Sequence, residues 1–188
     1  MGPCGVSEIA DRYRRIAGTF TERVREVPEG AWDNPAPCEG WVARDVVRHL
    51  VDWLPAFFAG AWPFALPAHP SVDEDPVAAW QAVSAAFQAA LDDPEVAGEV
   101  RDTRMGRARF DETFDMIGTT DVLLHTWDLA RATGLDETLD PQEVHGLLVG
   151  MESLDEVLRQ SGHYGPRVPV ADDAGEQTRL IAFIGRRP

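Results

Sequence analysis

The chain has 188 residues, 44% hydrophobic and 26% charged, with a formal charge of −15. These values suit one globular domain over residues 1–188 with a sizeable core, and they exclude wholesale disorder. The acidic balance argues against a nucleic-acid binder and against docking on anionic lipid, and the lack of any Lys excludes Schiff-base and P-loop lysine chemistry. Taken in chain order, the first predicted helix runs from Ser7 to Val27. Its apolar residues Ile9, Tyr13, Ile16, Phe20, Val24 and Val27 recur at steps of three and four, with Ser7 as N-cap. A link containing Pro28, Pro35 and Pro37 follows and cannot be helical throughout.

The second helix is expected from Val42 to Phe58, with Val46, His49, Leu50, Trp53, Leu54, Phe57 and Phe58 on one broad side. Pro55 marks a kink or its last turn. The third covers Pro76 to Leu91, with Pro76 in the first turn. The segment from Asp92 to Phe110 reads as a loop or a short helix. A fourth long helix is expected from Asp111 to Thr133, closed by Gly134 as a left-handed cap. The fifth starts at Asp140-Pro141-Gln142-Glu143, close to a capping box, and runs to Gly162. Val144, Leu147, Leu148, Met151, Leu154, Val157 and Leu158 form its buried side. The tail is extended first, then forms a short apolar helix near Thr178 to Ile184. Helical periodicity dominates and no series of strands is readable, so the fold class is an all-α bundle.

Polar groups on faces that should be buried carry the functional signal. His49 sits in the middle of the second helix. Asp121 and His125 lie four apart on the fourth, so both project from one stripe. A carboxylate and an imidazole at that spacing can share a metal ion, and helix bundles build such sites from facing helices. His49 supplies a third ligand from across the bundle. Two imidazoles and one carboxylate suit zinc, nickel or iron and leave positions open for water or substrate. Spacing alone is also met by ordinary core histidines and surface pairs; the cost of burying Asp121 unpaired is what favours a metal. Asp128, three after His125, is a second partner for that imidazole. Free imidazole titrates near about 6.5, so metal should be lost below about pH 6.

The blocks GWVARDVVRHL (Gly40–Leu50) and TTDVLLHTWDLARATG (Thr119–Gly134) resemble the N-terminal domain of the mycothiol-dependent maleylpyruvate isomerases. That family belongs to the DinB-like group of metal-binding four-helix bundles. The tail, SGHYGPRVPV with a closing IAFIGRRP, resembles an uncharacterised actinobacterial branch. The resemblance spans nearly the whole chain. It implies a four-helix bundle, to which the chain's own pattern adds a further helix and an extended C-terminal tail. It also implies a divalent metal, usually zinc, held by His49, Asp121 and His125, and mycothiol as a co-substrate. The isomerase has Glu where this chain has Asp121, so the metal is expected closer to that helix or reached through water. The isomerase also has a C-terminal domain that this chain, ending at Pro188, is not expected to carry. The activity implied is a metal-dependent thiol transferase or isomerase on a small molecule. The alternative is a metal- or small-molecule-binding protein without turnover.

The remaining candidates have simpler readings. Cys4 and Cys38 are too few for a disulfide framework and form no CxxC. Cys38 reads as a small buried hydrophobe. Trp41, Trp53 and Trp127 read as core. Arg44 and Arg131 read as salt-bridge partners of Asp45 and Asp128. His69 reads as solvated, His145 as exposed or capping a turn, and His163 as a pocket residue only if the tail folds over the metal mouth. With no apolar leader and no run long enough for a membrane span, a cytoplasmic location is expected. The expected partner is a small molecule, with a homodimer left open.

Overall fold

The computed structural model describes residues 4–62, 65–103, 106–160 and 164–188. In chain order the elements are α1 (Cys4–Glu26), a 3-10 turn (Glu29–Ala31), α2 (Ala43–Ala59), α3 (Pro76–Asp92) and α4 (Pro94–Ala97). A hairpin of β1 (Val100–Thr103) and β2 (Gly106–Arg109) follows. Then come α5 (Phe110–Phe114), a π-helical segment (Asp115–Thr119), α6 (Thr120–Thr133), α7 (Pro141–Glu152), α8 (Asp155–Gln160) and α9 (Glu176–Phe183). α1 packs on α3 and α6, and α2 packs on the same two, so four helices close around one core. The architecture is an all-α DinB-like bundle.

The apolar periodicity explains the packing. Tyr13, Ile16, Phe20 and Val24 of α1 are buried, as are Val46, Leu50, Leu54 and Phe58 of α2 and Trp80, Val83, Phe87 and Leu91 of α3. Each large side chain of this kind contributes about 1.5–3 kcal/mol when buried. Two large side chains pair their polar tips inside the core: the Tyr13 hydroxyl donates to Ser84 Oγ at 3.1 Å, and the Trp80 indole donates to Thr21 Oγ1 at 2.9 Å. The ends are capped locally. Asp75 accepts from the Ala78 amide, Asp140 accepts from the amides of Gln142 and Glu143, and Gly134 closes α6 at φ +73°. Among the described residues no helix is long and apolar enough to cross a membrane.

Several sequence expectations need correction. α1 starts at Cys4, so Ser7 lies inside the helix and is not its N-cap. The ambiguous segment after Asp92 holds α4 and then an antiparallel hairpin in register Val100–Arg109 to Thr103–Gly106. The fourth long helix is continuous in space but widens into a π turn at Asp115–Thr119. The fifth breaks after Glu152, and Leu154, expected inward, is 53% exposed at the break. Gly162 and the Val157 side chain lie outside the described residues. The tail helix is α9, with Leu180, Ile181 and Phe183 buried.

The π turn carries the first prediction. A Cβ on the buried Gly118 would stand 2.9–3.1 Å from three ring carbons of Phe114, which is itself fully buried. Gly118→Ala should therefore cost about 1–3 kcal/mol through overpacking, read as a lower urea midpoint. A loss below roughly 0.5 kcal/mol would show that the ring yields freely.

Candidate metal centre

α2 and α6 lie side by side, and α2 brings His49 and α6 brings Asp121 and His125 to the seam. His49 Nε2 is 3.0 Å from Asp121 Oδ2, and His125 Nε2 is 3.5 Å from Asp121 Oδ1. The donor atoms of His49, Asp121 and His125 all lie within 4.8 Å of one another. The three expected residues are thus brought together, with one carboxylate oxygen facing each imidazole. Exposure is graded across the cluster: the His125 side chain is 7% exposed, those of His49 and Asp121 22% and 24%. The floor is sealed and the outer edge meets solvent. Two imidazole nitrogens and one carboxylate are a donor set that fits a divalent ion of the zinc type.

Aromatic rings hold the imidazoles in place. The Trp41 ring lies 5.1 Å from that of His49 and 5.8 Å from that of His125, and Trp53 stacks on His49 at 5.1 Å with 12° between planes. Trp41 is set by a tight turn in which its amide bonds the Cys38 carbonyl at 3.1 Å. Gly40, third in that turn, takes the positive φ of +77° that such a position demands. Trp127 is core as expected; Trp41 and Trp53 are only partly buried and wall the site.

Behind His125 stands a second polar layer. His125 Nδ1 is 2.9 Å from Asp128 Oδ2, so the partner read from the i, i+3 spacing is in place. Asp128 also accepts from Arg186, Nε to Oδ1 at 2.9 Å and Nη2 to Oδ2 at 3.2 Å, and Arg186 Nη2 lies 3.0 Å from Cys38 Sγ. The Cys38 thiol lies 3.5 Å from Asp128 Oδ2. Cys38 is therefore not a mere hydrophobic filler: it is buried, but in a polar cluster. Burial works against a charged His125, yet the Asp121 charge and the hydrogen bonds to Asp128 and Cys38 push its pKa up to about 10. Burial likewise opposes the Asp128 charge, and His125 and Arg186 outweigh it, holding that carboxyl below its ordinary range. Arg186 is raised in turn, because Asp128, Cys38 and Asp121 offset its burial.

Other expected residues fall elsewhere. Arg44 donates to the Val72 carbonyl and covers Trp32, and Arg131 pairs with Glu137 and covers Trp127; neither pairs with Asp45 or Asp128 as read from sequence. Asp128 belongs instead to Arg186, which sequence reasoning missed. His145 is exposed and bonded to Glu176. His69 is half-buried, with Nδ1 2.9 Å from the Pro70 carbonyl, and so is less solvated than expected. His163 lies outside the described residues. Tyr164, also missed, is within electrostatic reach of the site: burial and the Asp121 charge raise its phenol, while Arg186 opposes them.

Fold and site together define a DinB-like helical bundle with a histidine–carboxylate cluster open along one edge. The family model described as the mycothiol maleylpyruvate isomerase N-terminal domain matches residues 13–130, and the chain belongs to that family. The matched span includes His49, Asp121, His125 and Asp128; Arg186 lies beyond it. Two uncharacterised proteins from strains of Mycobacterium tuberculosis are each 30% identical over 183 residues, covering 93% of this chain and 95% of the relative. No solved structure gives a significant match.

Proposed function

We propose that the chain is a metal-dependent thiol transferase or isomerase acting on a small molecule, with a mycothiol-type thiol as co-substrate. The observation that carries this reading is the convergence of His49, Asp121 and His125 from two facing helices, two of them still partly open to solvent. These residues would hold one divalent ion, zinc by donor type, with nickel and iron as alternatives. When bound, such an ion lowers the pKa of a thiol or water at an open position and so supplies a nucleophile near neutral pH. Membership of a mycothiol-associated family supports a thiol in that place. The chain's own groups supply orientation. Asp128 fixes the ring of His125, Trp41 and Trp53 clamp His49, and Asp121 offers an oxygen to each imidazole.

The second reading is a metal- or small-molecule-binding protein without turnover. It is favoured by the state of Asp128, whose carboxylate is bound by His125 and Arg186 and is not free to move protons to a substrate. One set of measurements separates the readings. Protein purified without a histidine tag should hold about one divalent ion per chain. Less than roughly a tenth of an equivalent after incubation with zinc, nickel or iron would remove the site altogether. With cobalt in the site, a mycothiol-type thiol should add a sulfur-to-metal charge-transfer band. His125→Ala should abolish that band and Cys38→Ser should keep it. Cobalt bound but blind to every thiol would hand the case to the non-catalytic reading.

A further inference from the structure

A second set of donors, Cys38, His125 and Asp128, lies directly behind the first. Its three donor atoms also lie within 4.8 Å of one another, and all three residues are buried. Thiolate, imidazole and carboxylate are donors that a zinc-type ion accepts, and thiolate is the softest of them. By donor chemistry alone this inner triad is at least as good a metal site as the outer one. The two triads share His125 through opposite ring nitrogens: Nε2 faces Asp121, and Nδ1 faces Asp128.

Arg186 distinguishes them. Its Nε and Nη2 reach the two Asp128 oxygens at 2.9 and 3.2 Å, and Nη2 reaches Cys38 Sγ at 3.0 Å. One guanidinium thus occupies two of the three donor residues of the inner triad, Asp128 and Cys38. A metal ion there would meet a like charge in a buried setting and would compete for lone pairs already used. The backbone holds Arg186 in that place. Gly185, at φ +87°, lies two residues past the end of α9, and a Cβ on it would stand 2.9 Å from Gly165 Cα. The Arg186 amide then bonds the Ile181 carbonyl at 3.0 Å. Only a residue without a side chain can make this close crossing, and the crossing aims the next side chain inward.

We infer that Arg186 is a built-in cation that closes the Cys38–His125–Asp128 triad to metal and keeps His125 available to the outer face. It is a positioning residue: it touches Asp128 and Cys38, and it acts on the outer site through them. The consequence for that site, which rests on the metal reading above, is that the protein's own thiol stays out of the ligand set. Any sulfur bound there comes from a free thiol.

Cobalt titration of the full chain tests this, with no added thiol. Wild-type protein should bind cobalt without a sulfur-to-cobalt band. Arg186→Gln and Arg186→Met, which remove the charge but keep much of the volume, should develop that band. Adding Cys38→Ser to either variant should abolish the band while ligand-field absorption persists. Two results would overturn the inference. One is a band in wild-type protein that Cys38→Ser removes, which needs no Arg186 variant. The other is cobalt binding to folded Arg186 variants without any band. If wild-type protein binds no cobalt but the Arg186 variants bind it with a Cys38-dependent band, the outer metal site fails and the closure by Arg186 stands. If neither binds cobalt, both fail.

Discussion

Asp128→Ala should destabilise the protein by about 3–5 kcal/mol, the range seen when one partner of a buried ion pair is removed. Asp128 is fully buried, and its carboxylate is the meeting point of Arg186, His125 and Cys38. Truncation leaves a guanidinium that is only 18% exposed and an imidazolium that is 7% exposed, both without that counter-charge. For a chain of this length the loss corresponds to roughly 6–20 °C in Tm. Metal retention should weaken about 10–100-fold as well, because the orienting bond to His125 Nδ1 is gone. Asp128→Asn keeps the shape and one acceptor oxygen, so it should fall between Ala and wild type. Urea melts and zinc competition would measure both effects. A loss under roughly 1 kcal/mol for the Ala variant would mean that Arg186 finds another partner, and the account of the inner layer would be wrong.

The outer site was legible in the sequence because its signals are local. Asp121 and His125 are four residues apart, and Asp128 three further on, so one helical stripe predicts their meeting. His49 stands out because an imidazole interrupts the apolar face made by Val46, Leu50 and Leu54. The inner layer has no such signal. Cys38 and Arg186 are 148 residues apart and meet through tertiary packing, with the close crossing of Gly165 and Gly185 just before Arg186. A lone Cys in a proline-rich link and an Arg near the C-terminus carry no periodicity to read. The same logic explains the fold. α1, α2 and α3 have strong apolar periods and fall within a few residues of their expected bounds. The hairpin of β1 and β2 does not alternate apolar with polar; its burial runs exposed to half-buried along each strand, so no period-two signal exists. The break after Glu152 was hidden because Leu154 continues the helical period in sequence while facing solvent in space.

Metal affinity should rise steadily with pH from about 6.5 towards 9, well above the window expected from a free imidazole. In the metal-free chain His125 is held protonated by its surroundings, with its pKa pushed up to about 10 despite burial. An ion that takes Nε2 must displace that proton, so each unit of pH in this range should favour binding by up to about tenfold per proton released. Zinc uptake at pH 7 should accordingly release a proton from His125, measurable by calorimetry in buffers of different ionisation enthalpy. Stability moves the other way without metal. A group whose folded pKa is raised contributes stability that is fully present below its unfolded pKa of about 6.5 and is lost as pH rises through the folded value. Metal-free protein should therefore melt at falling temperatures from about pH 6.5 upward. Protein with zinc in excess should lose less over the same range, because the bound ion adds stabilisation that grows with affinity. The Tm difference between the two forms should widen with pH. A difference that stays constant above pH 7, or zinc uptake that releases no proton, would show that His125 is already neutral and that Asp121 and Asp128 do not hold its charge.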